Sequence, residues 1–240
     1  MNLRNLKLAV PASLLAIALL AACVETGETR NESRAVDLDG ATSAAVTIRM
    51  NAGELDIAGG ASGMLDADFT YNVEDWEPDV EWDVTDSSGR LKISQSGSGS
   101  LSVLDIDDVE NEWNLNLNDE IPTTLDVELG AGDSSLKLGS LALTELDVET
   151  GAGDTTIDLT GDWANDLDAR IDAGAGRVKL IVPSGAGVRV KTDTGIVDVD
   201  NDGLTKDGNV YTNDAYGESD VTLTIAIEAG VGKVELEVAE

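Results

Sequence analysis

The residues best equipped for chemistry in this chain are acidic. Asp198-Val199-Asp200-Asn201-Asp202-Gly203 matches the first six positions of an EF-hand-type loop, with oxygen donors at one, three and five and glycine at six. Asp198, Asp200 and Asp202 are therefore candidate metal ligands, and Ca2+ is the ion such hard oxygens suit. Position twelve, however, is Asn209 rather than a bidentate glutamate, and no helical pattern flanks the segment. The same residues also read as a short strand, Val197-Asp198-Val199, ended by an Asn-Asp-Gly turn. A second acidic run, DIDDVENE at 105–112, has the composition of a solvated loop. There is no histidine, and Cys23 is the single cysteine. Zinc sites of Cys/His type, Ser-His-Asp triads and Cys-His pairs are thereby excluded. No catalytic residue can be named and no other cofactor is expected, so the chain reads as a non-enzyme.

A second candidate for chemistry is glycine-rich. LDVELGAGDSSLKL at 125–138 is followed by LDVETGAGDTTIDL at 146–159. A Gly-Ala-Gly-Asp core has three readings: a phosphate cradle, a metal loop or a corner. A P-loop needs Gly-x-x-x-x-Gly-Lys-Ser/Thr, and the nearest approach, Gly232-Lys233, has Ile227 and Val234 at the other required positions. Gly130-Ala131-Gly132 does not complete Gly-x-Gly-x-x-Gly, because residue 135 is serine and no helix follows. In the calcium-binding nonapeptide array the aspartate comes later and the period is about half as long. The corner reading remains, with glycine supplying φ > 0 where the chain turns.

The elements that carry these corners are strands. From Ala35 onward apolar residues fall at alternate positions, and no amphipathic helix interrupts them. Gly132, Gly153, Gly176 and Gly195 follow one another at 21, 23 and 19 residues, and Gly232 takes the same role in a later copy. Each is preceded and followed by a short alternating strand. Fainter copies occur at 46–57 and 80–93. Two short strands joined at a glycine every twenty residues or so predict an all-β, single-stranded β-solenoid of about seven or eight coils. Stacking in chain order places Lys137, Asp158, Lys179, Asp198 and Glu235, and earlier Asp56 and Lys92, along one outward row, mostly with alternating sign. On the preceding strand, Asp126 stacks on Asp147 and Glu128 on Glu149, which calls for salt, a cation, or Arg170 and Arg189.

The first residues are a leader. Arg4 and Lys7 precede a short apolar run, Leu8 to Leu20, too short for a comfortable membrane span. Leu20-Ala21-Ala22-Cys23 resembles a bacterial lipobox, which implies cleavage before Cys23 and diacylglyceryl attachment to its thiol. Val24 after it implies, in a Gram-negative cell, the outer membrane, facing the periplasm or the surface. The expected organisation is a signal peptide at 1–22, a lipidated cysteine and polar tether at 23–34, a mixed antiparallel N-terminal part at 35–122 and the solenoid proper at 123–240. Loss of Arg4 and Lys7 takes the formal charge from −32 to −34. Nucleic acid is not expected as a partner, because repulsion opposes contact.

With the repeats laid out, the chain resembles the toast-rack family of bacterial envelope proteins, related to the C-terminal domain of LiaF-type stress regulators. The resemblance spans Ala35 to Glu240 and rests on NAGELDI near the start, NEWNLNLN at 111–118, the tandem VELGAGD and VETGAGD, and YTNDAYGES at 211–219 before EAGVGKVELEV. It implies a β-solenoid with a mixed N-terminal part and no known catalytic activity. LiaF-type proteins restrain a membrane histidine kinase through several transmembrane helices, whereas here a lipid anchor is expected instead. The resulting expectation is a lipid-anchored envelope protein that shows an acidic ladder to a protein partner, as an accessory in stress regulation. The alternatives are a self-associating scaffold or adhesin, and a calcium-binding envelope protein.

Overall fold

The computed structural model describes residues 26–97 and 109–239. Cys23, the leader and residues 105–108 of the acidic run lie outside the described residues. Among the described residues fifteen strands form one sheet that folds back on itself: β1 (Thr26–Val36), β2 (Ser43–Ala52), β3 (Glu54–Gly59), β4 (Leu65–Val73), β5 (Pro78–Thr85), β6 (Ser88–Gln95), β7 (Asn111–Leu117), β8 (Thr123–Ala131), β9 (Ser134–Lys137), β10 (Leu143–Asp158), β11 (Leu167–Val182), β12 (Gly187–Asp202), β13 (Thr205–Asp207), β14 (Val210–Thr212) and β15 (Thr222–Val238). The fold is all-β and solenoidal. In the five coils from β2/β3 to β15 a first limb ends at a glycine corner and a second limb leaves it. The first-limb ladder runs β6, β2, β8, β10, β11, β15, β12, all parallel. The second-limb ladder runs β7, β3, β9 and then the second halves of the same four long strands.

Antiparallel strands close the ends. β4 lies on β7 and β1 on β4, while β5 lies on β6. At the other end the β13–β14 hairpin covers part of β12. The N-terminal part is thus mixed, and the ladder runs without a break across 122–123, because β8 pairs with β2 on one side and β10 on the other. Residues 26–34, expected as a tether, instead form most of β1. The segment TGETRNESR has no apolar alternation, because an edge strand exposed on both faces needs none; it is held by the β4 ladder.

The interior is built from rows of apolar residues, one per coil, as period-two alternation requires. One row reads Ile93, Ile48, Val127, Val148, Ile171 and Ile227, and all six are essentially inaccessible to solvent. Across the coil stands the row Leu115, Ile57, Leu136, Ile157, Leu180 and Leu236. Aromatic side chains plug the end beside β4, where Phe69 meets Trp113 edge-on at 5.4 Å and Trp113 Nε1 donates to Asn111 Oδ1 at 3.0 Å.

Spatial order departs from chain order at both ends. β6 and β7 stack outside β2 and β3, although they come later in sequence. β15, the last strand, lies between β11 and β12. This overturns the outward row expected from sequential stacking. Lys137 does face Asp158, but Asp158 faces Ile181, and Lys179 stands between Thr156 and Glu235. Gly195 also belongs two positions earlier: it stacks against Gly230, and Val197 stands beside Gly232. A two-residue slip leaves every side chain on its original face, so alternation alone could not reveal it.

The corner itself is a column of five glycines with positive φ, Gly53, Gly132, Gly153, Gly176 and Gly232, between +128° and +145°. A Cβ on Gly153 would stand 1.8 Å from the Gly132 carbonyl oxygen, and the next two glycines repeat that clash. Gly153→Ala is expected to cost ~3 kcal/mol or more, since both the conformation and the packing forbid a side chain. Gly185, with open space around it, is the control: Gly185→Ala should leave stability unchanged or raise it by up to ~1 kcal/mol. Urea denaturation of the two variants checks both.

Candidate functional site

The corner exposes three parallel columns. The middle one is apolar and grows along the ladder: Ala52, Ala131, Ala152, Ala175, Val231, Ile196. Trp76, from the 3-10 turn Glu74–Trp76, packs with Ala52 and Val73 and covers the start of this column. A cavity of about 350 Å³ opens beside it, lined by Trp76, Val109 and Asn111 and rimmed by Glu54, Glu110, Glu112 and Asp133. The buried Trp76 indole N–H has no acceptor there. Farther on no described residue covers the column, and Val231 and Ile196 are 56% and 82% exposed.

On the first-limb side the corner is flanked by carboxylates. Glu128, Glu149, Asp172, Glu228 and Asp193 stand on five successive strands, with Arg49 at the head of the row. Strand spacing is ~4.8 Å. From Glu149 onward this row and the glycines Gly151, Gly174, Gly195 and Gly230 line an open groove of about 600 Å³. Glycine makes the groove floor bare backbone. The repulsion is relieved at two points. Arg49 donates Nε and Nη2 to the two Glu128 oxygens at 2.9 and 3.0 Å. Arg170 donates Nε to Asp172 at 2.7 Å and Nη2 to Glu228 at 3.0 Å.

Of the arginines expected to relieve the Asp126–Asp147 and Glu128–Glu149 stacks, Arg170 does stand beside Asp147, but its guanidinium turns to the neighbouring row. Arg189 stands beside Thr224 and Thr212 instead. Arg49 was not anticipated, since the pairing of β2 with β8 cannot be read from the chain. The cost of crowding shows at Asp126. Its carboxyl is held above the usual range, first by desolvation, then by Glu128 and, more weakly, Asp147, with Arg49 opposing.

On the second-limb side the row next to the corner reads Glu112, Glu54, Asp133, Asp154, Arg177, Lys233, Asp198. Asp133 Oδ1 accepts from the backbone N–H of Asp154 at 2.9 Å, so this aspartate tightens the next coil's corner. Arg177 pairs with Asp154 at 2.9 Å. Lys233 pairs with Asp200 at 2.7 Å and Glu235 at 2.6 Å, which holds the lysine ammonium above its ordinary range and the Glu235 carboxyl below it.

Asp198, Asp200 and Asp202 lie on the second limb of β12, at alternate positions on its outward face, rather than in a loop. A strand sets alternate residues roughly 6.8 Å apart, too far to converge on one ion as an EF-hand loop does. Among the described residues no three acidic side chains gather closely enough to hold a metal. The strand reading of Val197–Val199 is the one the chain adopts.

Two family models match the chain: the N-terminal domain of toast-rack over residues 25–181, and the C-terminal domain of the cell wall-active antibiotics response protein LiaF over residues 131–236. A proposed cell adhesion protein from Clostridium sporogenes superposes with a TM-score of 0.85 at 32% identity, over 88% of this chain and 100% of that one. A proposed adhesin from Bacteroides fragilis aligns over 87% of this chain and 97% of its own, at 11% identity and a TM-score of 0.29. One from Parabacteroides distasonis covers 89% and 98%, at 10% and 0.27. Superpositions that loose carry no argument. No curated protein matches the chain.

Two outcomes follow from the carboxylate row. Glu149→Gln, which removes the charge between Glu128 and Asp172, should raise the melting temperature at 20 mM salt, and the gain should fade at 1 M salt as screening takes over. Calcium and magnesium at matched ionic strength should shift melting equally, because Lys233 already occupies Asp200 and no three carboxylates among the described residues form a cage that selects calcium; scanning calorimetry reads both.

Proposed function

This chain belongs to the toast-rack family of envelope-associated, non-enzymatic proteins, and on that footing we propose that it is a lipid-anchored accessory that shows its acidic solenoid face to a protein partner in envelope stress regulation. The observation that carries the reading is the row from Glu128 to Asp193. Five carboxylates held in register beside a backbone-floored groove form a rigid charge pattern that a loop could not maintain. Such a pattern selects a basic partner and speeds its arrival. The match to the C-terminal domain of LiaF adds the regulatory context. Among the described residues no helix is long and apolar enough to cross a membrane, so attachment in this reading falls to the Cys23 thiol.

β1 begins three residues after Cys23 and heads the second-limb order β1, β4, β7, β3, β9, β10, β11, β15, β12. Eight interstrand steps of ~4.8 Å set β12 roughly 38 Å from β1. In the proposed arrangement the ladder is a spacer, with its anchored end at the membrane and β12 held away from it.

A second reading, a self-associating scaffold or adhesin, draws on the Clostridium sporogenes protein described for cell adhesion and on the open strand edges of the ladder. Cross-linking of the native protein in intact cells separates the two. Capture of a sensor kinase or another membrane complex is the expected result. Capture of copies of itself alone would replace the regulatory reading with the scaffold. In the same cells Cys23→Ser should move the protein from the membrane fraction to the soluble envelope fraction.

A further inference from the structure

The last coil of the ladder is closed on one limb and open on the other. The β13–β14 hairpin covers the first limb of β12, where β14 pairs with Arg189–Lys191 and Tyr211 is buried. Beyond Thr192 no described strand pairs with β12 on the side away from β15. Half of the backbone N–H and C=O groups of 196–202 therefore face outward along an unpaired edge. The interior at this edge is also incomplete. Val199 is half-buried, whereas Val234 beside it in β15 is sealed; Val197 is likewise half-covered. Ile196, 82% exposed, continues the apolar step begun by Val231.

The edge carries its own specification. Its outward face presents Asp198, Asp200 and Asp202, and Lys233 already engages Asp200. A second copy pairing through the same edge would set aspartates against aspartates in a chain of formal charge −32, and like charges directly opposite destabilise a strand pair. A strand with Lys or Arg on one face and apolar residues on the other meets both demands at once. Its basic side chains face the aspartates, and its apolar ones cover Val197 and Val199.

We infer that the 196–202 edge of β12 is a strand-addition site for an extended segment of a partner protein in which basic and apolar residues alternate. This rests on the partner reading above and names where and how the partner binds. Backbone hydrogen bonds supply the attachment, while alternate side chains supply the selection. The position roughly 38 Å from β1 keeps the edge clear of the anchoring membrane.

The test uses the full lipoprotein in detergent micelles and a labelled ten-residue peptide of alternating Lys and Val. Binding should saturate at one peptide per chain and slow amide exchange in 196–202. The same peptide N-methylated at its four central residues should bind at least tenfold more weakly, as should a Lys/Ser peptide of equal charge. The Asp198→Asn/Asp202→Asn variant should lose at least tenfold in affinity while melting no lower than the parent. Equal binding by the N-methylated or Lys/Ser peptide, or protection along the Glu128–Asp193 row instead, would overturn the assignment. So would a dimer joined through 196–202 in the absence of peptide. If the peptide fails while cells still yield a cross-linked membrane complex, only the edge assignment falls; if cells yield copies alone, the partner reading falls whatever the peptide does.

Discussion

Close contact between backbones at the glycine corner is the constraint on which the rest of the structure depends. The carbonyls of Gly53, Gly132, Gly153 and Gly176 each occupy the space where the next coil's Cβ would lie. From β3 to β15 parallel strands at ~4.8 Å spacing turn together because these five coils turn at the same place with nearly the same φ. The column therefore fixes register for both limbs at once. Rows of leucine, isoleucine and valine meet inside because the corner has aligned them, and rows of carboxylates meet outside for the same reason. The fold does not choose these acidic neighbours independently of its core; one alignment imposes both.

That coupling gives the surface two opposed responses to pH. Asp126 has a raised folded-state value, so its contribution favours folding in acid and is lost as pH rises through that value. Glu235 is depressed by Lys233, so its contribution is present above the ordinary glutamate value and is lost as pH falls through the folded one. Crowded and paired carboxylates thus pull in opposite directions across mild acidity. Arg49, Arg170, Arg177 and Lys233 are positioned where the acidic rows would otherwise be longest, so each of these cations acts as a local limit on repulsion.

The tandem repeat disclosed much of this. Leu125–Lys137 and Leu146–Asp158 do lie side by side at a spacing of 21 residues, as their likeness requires. Alternation identified inward and outward faces in every long strand. What likeness between segments does not disclose is which of them are neighbours. Equivalent coils compete for the same slot, and loop geometry decides between them, so the placement of β15 was invisible. β1 was missed because two-sided exposure removes the apolar alternation that marks a strand. The site was legible only in its acidity. Arg49 needed the β2–β8 pairing, and the capping role of Trp76 needed a turn that positions one aromatic side chain over Ala52. Asp198, Asp200 and Asp202 suggested a metal loop by composition, but alternate positions on a strand splay carboxylates apart rather than gathering them.

The position of β15 also sets the order of assembly. Chains are synthesised from their N-terminus, and segments fold as they become available. β11 and β12 are both complete before residues 222–238 emerge, yet β11 takes its second parallel neighbour, and β12 its one parallel neighbour among the described strands, from that final stretch. Until it arrives, the ladder ends at β11 with a vacant edge, and β12 has no parallel strand to lie on. The final strand acts as a keystone: the far end of the ladder closes only on a chain translated through residue 238, and a product truncated before β15 leaves the β12 edge unformed.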